Sequence, residues 1–451
     1  MDPLTDKLIS YAQDLSYEDL PREVIDRAKH FILDAVGCAL GAAPSPPGRI
    51  VRAVASRFTS ATPATVMISG DKTSPDMAAF ANGTMTRYLD WNDGYTSNGT
   101  CHPSDMLAPA LAATEAAGLD GKALILGLVL GYEVQCGLTD SNGLEREGGA
   151  SQTINGAVAS AVLAAKLMGL DKEKMSHAVN MAISACRTLG RQSPSQLSHW
   201  KEAHVANASR NALFCTLMAA EGLTGPDIIF EDPAELLPFG GKGRNFRIME
   251  SRVKHFPSGY FSQSAIEAAQ EVRPKISRVS DIEEVRLQTF PSGFNAMGSN
   301  PSRWRPDNRE TADHSLPFVL AMALMEGTLE IRHFDEEYFL KPDVTTLMDK
   351  IKISVGDECV QAWPEVPLNI VDVQMRSGEV HSARVGYHLG HFNNLMSDAD
   401  QERKFRPMAE DYGKLPKEQV NRLLDQLRKF EQVQDIGQVL ALTVPPEPQH
   451  R

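Results

Sequence analysis

The chain has 451 residues, of which 42% are hydrophobic and 23% charged. That balance supports large buried cores and excludes a disordered chain. The net charge of −13 argues against nucleic acid or an anionic membrane surface as the partner.

Six cysteines occur without a CxxC pair. This argues against a disulfide scaffold, a zinc ribbon and an aconitase-type cluster, and a reduced, cytoplasmic setting is expected. The opening MDPLTDKLISYAQDL has no basic segment followed by an apolar core, so no secretory signal is expected. No apolar stretch is expected to reach the roughly 18 residues of a membrane span.

In chain order, PREVIDRAKHFILDAVGCALGAA carries apolar residues at helical spacing behind a proline. KALILGLVLGYEVQCGL is apolar nearly all round, which predicts a buried core helix. INGAVASAVLAAKLMGL and SRNALFCTLMAAEGL end in Gly-Leu, a helix-stop signal. After about residue 266 the texture changes. EEVRLQTF and KIKISV read as strands, and IVDVQMRSGEVHSARVGY reads as a hairpin turning at Ser377-Gly378. KEQVNRLLDQLRKFEQV returns to helical periodicity. The expected fold is mainly α. Residues 1–265 form a large all-helical domain, and 266–399 form a smaller α+β lid inserted before the C-terminal helix. Residues 400–451 pack back on the first domain.

Four segments carry groups suited to chemistry. RYLDWNDGYTSNGTCHPSD, residues 87–105, sets Asp90, Asp93 and His102 in a loop between helix-like runs. A histidine can move protons near neutral pH, and an aspartate can orient it. SHWKEAHVANASR places Lys201 and His204 on one helical face. RVKHFPSGYFSQSA brings Lys254 to the junction between the helical and strand-rich regions, where clefts form. RPDNRETADHSLPF alternates charges, which suits an ion-pair network at a helix start at least as well as catalysis. No HExxH or similar spacing is present and FGGKGRNF departs from the P-loop pattern, so it reads as a turn. Neither a metal nor a cofactor is expected.

Taken in order, RYLDWNDG…HPSD, GYEVQ, SHWKEAHVANASRNA, AAEGLTGP, the Lys-x-Phe-Pro turn at 254–257 and RETADHSLPF resemble the MmgE/PrpD family. The resemblance spans nearly the whole chain. It implies an all-helical domain with an α+β lid, usually as a homodimer, and cofactor-independent chemistry beside a carboxylate. The family includes 2-methylcitrate dehydratase, cis-aconitate decarboxylase and iminodisuccinate epimerase. The family's acidic loop falls on Asp90 and Asp93, its histidine on His102, and its lysines on Lys201 and Lys254.

Two family histidines are replaced. GGASQTING contains none, and Gln152 is its nearest polar candidate; Tyr260 and Phe261 occupy the stretch of the other. The expected catalytic set is His102, Asp90, Lys201 and Lys254, with His102 oriented by Asp90. Asp93, Gln152, His204 and Tyr260 are the expected substrate contacts. The expected activity is a hydro-lyase on a 2-methylcitrate-like polycarboxylate. The alternatives are an epimerase of an imino- or amino-dicarboxylate, a decarboxylase of a cis-aconitate-like acid, and an inactive carboxylate-binding protein.

Overall fold

The computed structural model describes residues 3–141, 151–186, 196–227, 238–241 and 243–446. Helix accounts for 61% and strand for 10%, which makes the fold mainly α with a small α+β region.

The first hydrophobic core gathers apolar side chains from Leu4 to Val253. Helix Arg22–Gly41 begins behind Pro21, where a proline costs no intrahelical hydrogen bond. Helices Pro75–Tyr88 and Trp200–Ala220 pack closely. A Cβ on Gly83 would lie 3.0 Å from the Ala206 Cβ, so the small residues permit that approach. Helix Gly121–Ser141 is long and apolar enough to cross a membrane by length and composition, which the sequence reading did not anticipate. Its apolar window is 83% buried inside the protein, as suits a core helix apolar on all sides. Its Glu133 accepts hydrogen bonds from the amides of Gly240 (2.7 Å) and Arg247 (2.8 Å), so the glycine-rich stretch around 240 is a tethered turn.

A second core runs from Phe256 to Val385. It lies around a four-stranded sheet ordered Ile351–Val355, Ile282–Thr289, Asn369–Met375, Val380–Val385. The first pair is parallel and the other two are antiparallel. The last two strands form the expected hairpin, with Gly378 at φ 88° in its turn. Helix Leu316–Glu326 crosses this core. Ser315 caps its start through the amide of Phe318, and Gly327 ends it at φ 74°.

The chain then returns to the first core. Phe405, Leu423, Leu427 and Phe430 are buried there with side chains from the opening helices. Phe405 comes from helix Asp398–Pro407, Leu423 and Leu427 from helix Lys417–Arg428, and Phe430 from the 3₁₀ turn Phe430–Gln432 that follows.

Candidate active site

Helix Pro75–Tyr88 delivers Asp90 in a left-handed conformation, φ 49°, which aspartate tolerates better than most residues. Its side chain is buried between two lysines. Lys254 contacts Oδ1 directly and donates to the Asp90 backbone carbonyl at 2.9 Å. Lys201 Nζ lies 3.2 Å from Oδ2. Burial alone would raise the Asp90 carboxyl, but the two ammonium groups hold it well below the usual carboxylate range.

Lys201 is the hub of the cluster. It donates to both oxygens of Asp313, at 2.7 and 2.8 Å, and lies 3.0 Å from Glu202 Oε1. Burial works against its charge, yet Asp313, Glu202 and Asp90 together raise its pKa. Burial raises Glu202 to about 8 despite Lys201. His314 Nδ1 lies 2.7 Å from Asp313 Oδ1 and 3.2 Å from Asp90 Oδ2. A carboxylate only accepts, so Nδ1 carries the proton and Nε2 keeps its lone pair. The His314 side chain is 26% exposed, so this imidazole is within reach of a ligand.

His102 stands just before the short 3₁₀ turn Pro103–Met106 that leads into helix Leu107–Ala116. Its Nδ1 donates to the Asp93 backbone carbonyl at 2.7 Å, which leaves Nε2 as the basic nitrogen. The ring is therefore oriented by the Asp93 carbonyl and not by the Asp90 carboxylate. Burial, then Arg87 and Lys254, push its pKa well below that of free histidine, so it is a neutral base.

The remaining expected residues divide. The Asp93 carboxylate is committed internally, accepting from the Ser104 amide (3.0 Å) and the Tyr132 hydroxyl (2.7 Å). These bonds fit a loop-shaping role rather than the expected substrate contact. His204 Nδ1 donates to the Lys201 carbonyl at 2.7 Å, and burial with Arg87 lowers the ring to about 4. Gln152 is half-buried at the start of helix Ser151–Leu167, and no contact joins it to the cluster among the described residues. Tyr260 is buried against Arg252 and His388 rather than Asp90.

Several contributors were absent from the expected set. Arg87 is buried with Nε 3.4 Å from Asp105 Oδ1, and burial raises Asp105 to about 7 against that pairing. Lys404, from the returning helix, donates to Asp34 Oδ1 (2.5 Å), the Trp91 carbonyl (2.7 Å) and the Lys254 carbonyl (2.9 Å). It thereby locks the loop to the lysine turn. Asp313 and His314 lie in a segment whose alternating charges did point to an ion-pair network; nothing in its spacing aimed it at Asp90.

Ligand atoms of Asp90, Asp313 and His314 lie within 4.8 Å of one another. Lys201 Nζ already bonds Asp313 and approaches Asp90. The positive charge such a donor set requires is thus supplied by the protein.

A buried lysine–aspartate network beside a neutral histidine is a setting for proton transfer next to a carboxylate. Two family models match consecutive parts of the chain: the MmgE/PrpD N-terminal domain over residues 6–249 and the MmgE/PrpD C-terminal domain over 256–429. The chain belongs to the MmgE/PrpD family. Among its MmgE/PrpD relatives is a mitochondrial 2-methylcitrate dehydratase of Yarrowia lipolytica, 25% identical over 86% of this chain and 81% of the relative. The cis-aconitate decarboxylase of Mus musculus is 23% identical over 99% and 94%. The 2-methylcitrate dehydratase of Salmonella typhimurium is 26% identical over 75% and 74%. The C-terminal family model extends past the sheet into helices Asp398–Pro407 and Lys417–Arg428, although these pack on the first core.

Proposed function

We propose that the protein is a cofactor-independent hydro-lyase acting on a 2-methylcitrate-like polycarboxylate. The observation that carries this reading is the fixed tautomer of His102, a neutral base whose electrostatic neighbours include Arg87, Lys254 and Asp90.

In the proposed reaction, His102 Nε2 takes a proton from a carbon next to a substrate carboxylate. The developing enediolate charge is stabilised by Lys201 and Lys254, fixed before the reaction begins by Asp90 and Asp313. The C–O bond then breaks and its electron pair leaves with the hydroxyl, which needs a proton to depart as water. His314, after taking a proton from solvent on Nε2, is the group that supplies it, its ring anchored by two aspartates. The products are an alkene and water, and the site returns to its starting charge after His102 passes its proton to solvent.

Three buried cations, Lys201, Lys254 and Arg87, gather around Asp90, which supports an anionic substrate. The relatives named as 2-methylcitrate dehydratases support the substrate class.

A second reading, an epimerase of an amino- or imino-dicarboxylate, is favoured by the same pair of neutral imidazoles. Two proton carriers suffice there and no leaving group is needed. Incubation with citrate-like and aspartate-like acids in D₂O, followed by NMR, separates the two. Vinyl signals support the hydro-lyase, and deuterium uptake without an alkene supports the epimerase. No change in any acid would sink both.

A further inference from the structure

A second group of polar side chains lies beside the catalytic loop, and the reaction above does not use it. Arg252, Tyr260, His388 and His391 are all buried, with relative residue accessibilities of 5%, 6%, 0% and 0%. They adjoin one another. The Arg252 guanidinium lies 5.5 Å from the Tyr260 ring, Tyr260 lies 5.4 Å from His388, and His388 lies 5.9 Å from His391. Yet Arg252 Nε, the Tyr260 hydroxyl, His388 Nε2 and His391 Nε2 have no hydrogen-bond partner among the described residues. Burying one such group unmatched is costly, and four together mark a place built for something polar.

Backbone contacts settle what each histidine offers. His388 Nδ1 meets the Leu389 carbonyl at 2.9 Å, so Nδ1 carries the proton and Nε2 is an acceptor. His391 Nδ1 accepts from the Asn393 amide at 3.0 Å, so its Nε2 carries the proton and is a donor. The group therefore presents donors at Arg252, Tyr260 and His391, with one acceptor at His388. A metal would need lone pairs at both Nε2 atoms, and His391 lacks one. Oxygen acceptors with a neighbouring O–H or N–H match the set: a carboxylate carrying an adjacent hydroxyl or amine.

The placement also fits. The Arg252 and Gly94 backbones exchange both hydrogen bonds at 2.9 Å, while the Val253 amide turns the other way to Gly390. The segment is thus extended, and Arg252 and Lys254, two residues apart, leave it on the same side. Only glycine fits at 390, where a Cβ would lie 2.3 Å from the Val253 carbonyl, and the loop carrying both histidines meets the 252–254 segment there.

We propose that Arg252, Tyr260, His388 and His391 form a substrate subsite that binds a hydroxy- or amino-carboxylate end of the polycarboxylate while Lys254 and Lys201 hold the reacting end. This rests on the polycarboxylate reading above. The test is calorimetric titration of the full-length protein with 2-methylcitrate, citrate and tricarballylate, which is citrate without its hydroxyl. The wild type is expected to prefer the hydroxy acids. Arg252→Gln and the milder Tyr260→Phe are each expected to weaken citrate binding about 10-fold or more. His388→Phe is expected to erase the preference over tricarballylate. Wild-type binding with unchanged affinities in folded Tyr260→Phe and Arg252→Gln would overturn the subsite alone and leave the cluster a water site. Failure of the wild type to bind any polycarboxylate would overturn the functional reading, and the subsite with it.

Discussion

Lys201 grips Asp313 through both carboxylate oxygens, at 2.7 and 2.8 Å, and so ties helix Trp200–Ala220 to the turn that precedes helix Leu316–Glu326. The pair is buried on both sides and joins the two hydrophobic cores at the candidate site. Cutting one partner of a buried pair leaves the other charge unmatched.

Asp313→Asn is therefore expected to cost about 3–5 kcal/mol of stability. Urea denaturation checks this, and a midpoint equal to that of the wild type would refute it. The variant should also weaken catalysis, because Lys201 and His314 both lean on Asp313.

His102→Asn should lower turnover by about 10²–10⁴-fold, the usual contribution of a positioned acid or base. Substrate affinity should change far less. Because burial, Arg87 and Lys254 depress the pKa of this imidazole, the base form persists into acid. The acid limb of wild-type kcat/KM should then fall below the ordinary histidine value of about 6.5. An acid limb at or above that value would count against His102 as the base.

Glu202 and Asp105 make stability depend on pH in the opposite sense to Asp90. Their folded values are raised, to about 8 and about 7. Their contribution is complete below the ordinary carboxylate range and is lost as pH rises through those values. The depressed Asp90 contributes above that range and loses its share in acid. Thermal melts of the wild type should show falling stability from about pH 5 to 8 from the raised pair, and Glu202→Gln should flatten the slope. Identical slopes would show that Glu202 ionises freely.

Gly121→Ala tests how the chain closes on itself. An added Cβ would lie 1.9 Å from the Phe430 carbonyl, and backbone there cannot simply rotate away. The Gly121 amide also donates to the Val433 carbonyl at 2.8 Å. A loss of about 1–3 kcal/mol is expected, measured by chemical denaturation. A neutral substitution would mean that the 430–433 turn yields freely.

Chelation should leave turnover unchanged, since Lys201 supplies the positive charge among Asp90, Asp313 and His314. Loss of activity with EDTA, restored by a divalent ion, would reverse that assignment.

Much of the fold was legible because its signals are local. The strand at 282–289, the hairpin around Gly378 and the apolar helix at 121–141 follow from period and turn chemistry. The parallel pairing of Ile282–Thr289 with Ile351–Val355 was not legible, because it joins strands across more than sixty residues of chain. At the site, Asp90, His102, Lys201 and Lys254 stood out by residue type and spacing. Lys404 could not, because a lysine in a polar helix reads as a surface residue until the returning helix buries it beside Asp34.

Sequence alone determined the family, the mainly α texture and the residue types available for acid–base chemistry. These depend on composition, order and local period, all of which are properties of the unfolded chain. Tertiary structure decided how those residues are used. Folding set which histidine nitrogen keeps its lone pair, which carboxylates are consumed by internal hydrogen bonds and which carboxyls burial drives towards their protonated form. Such matters turn on distances between residues far apart in the chain and on exclusion of water, and neither exists before the two cores close on one another.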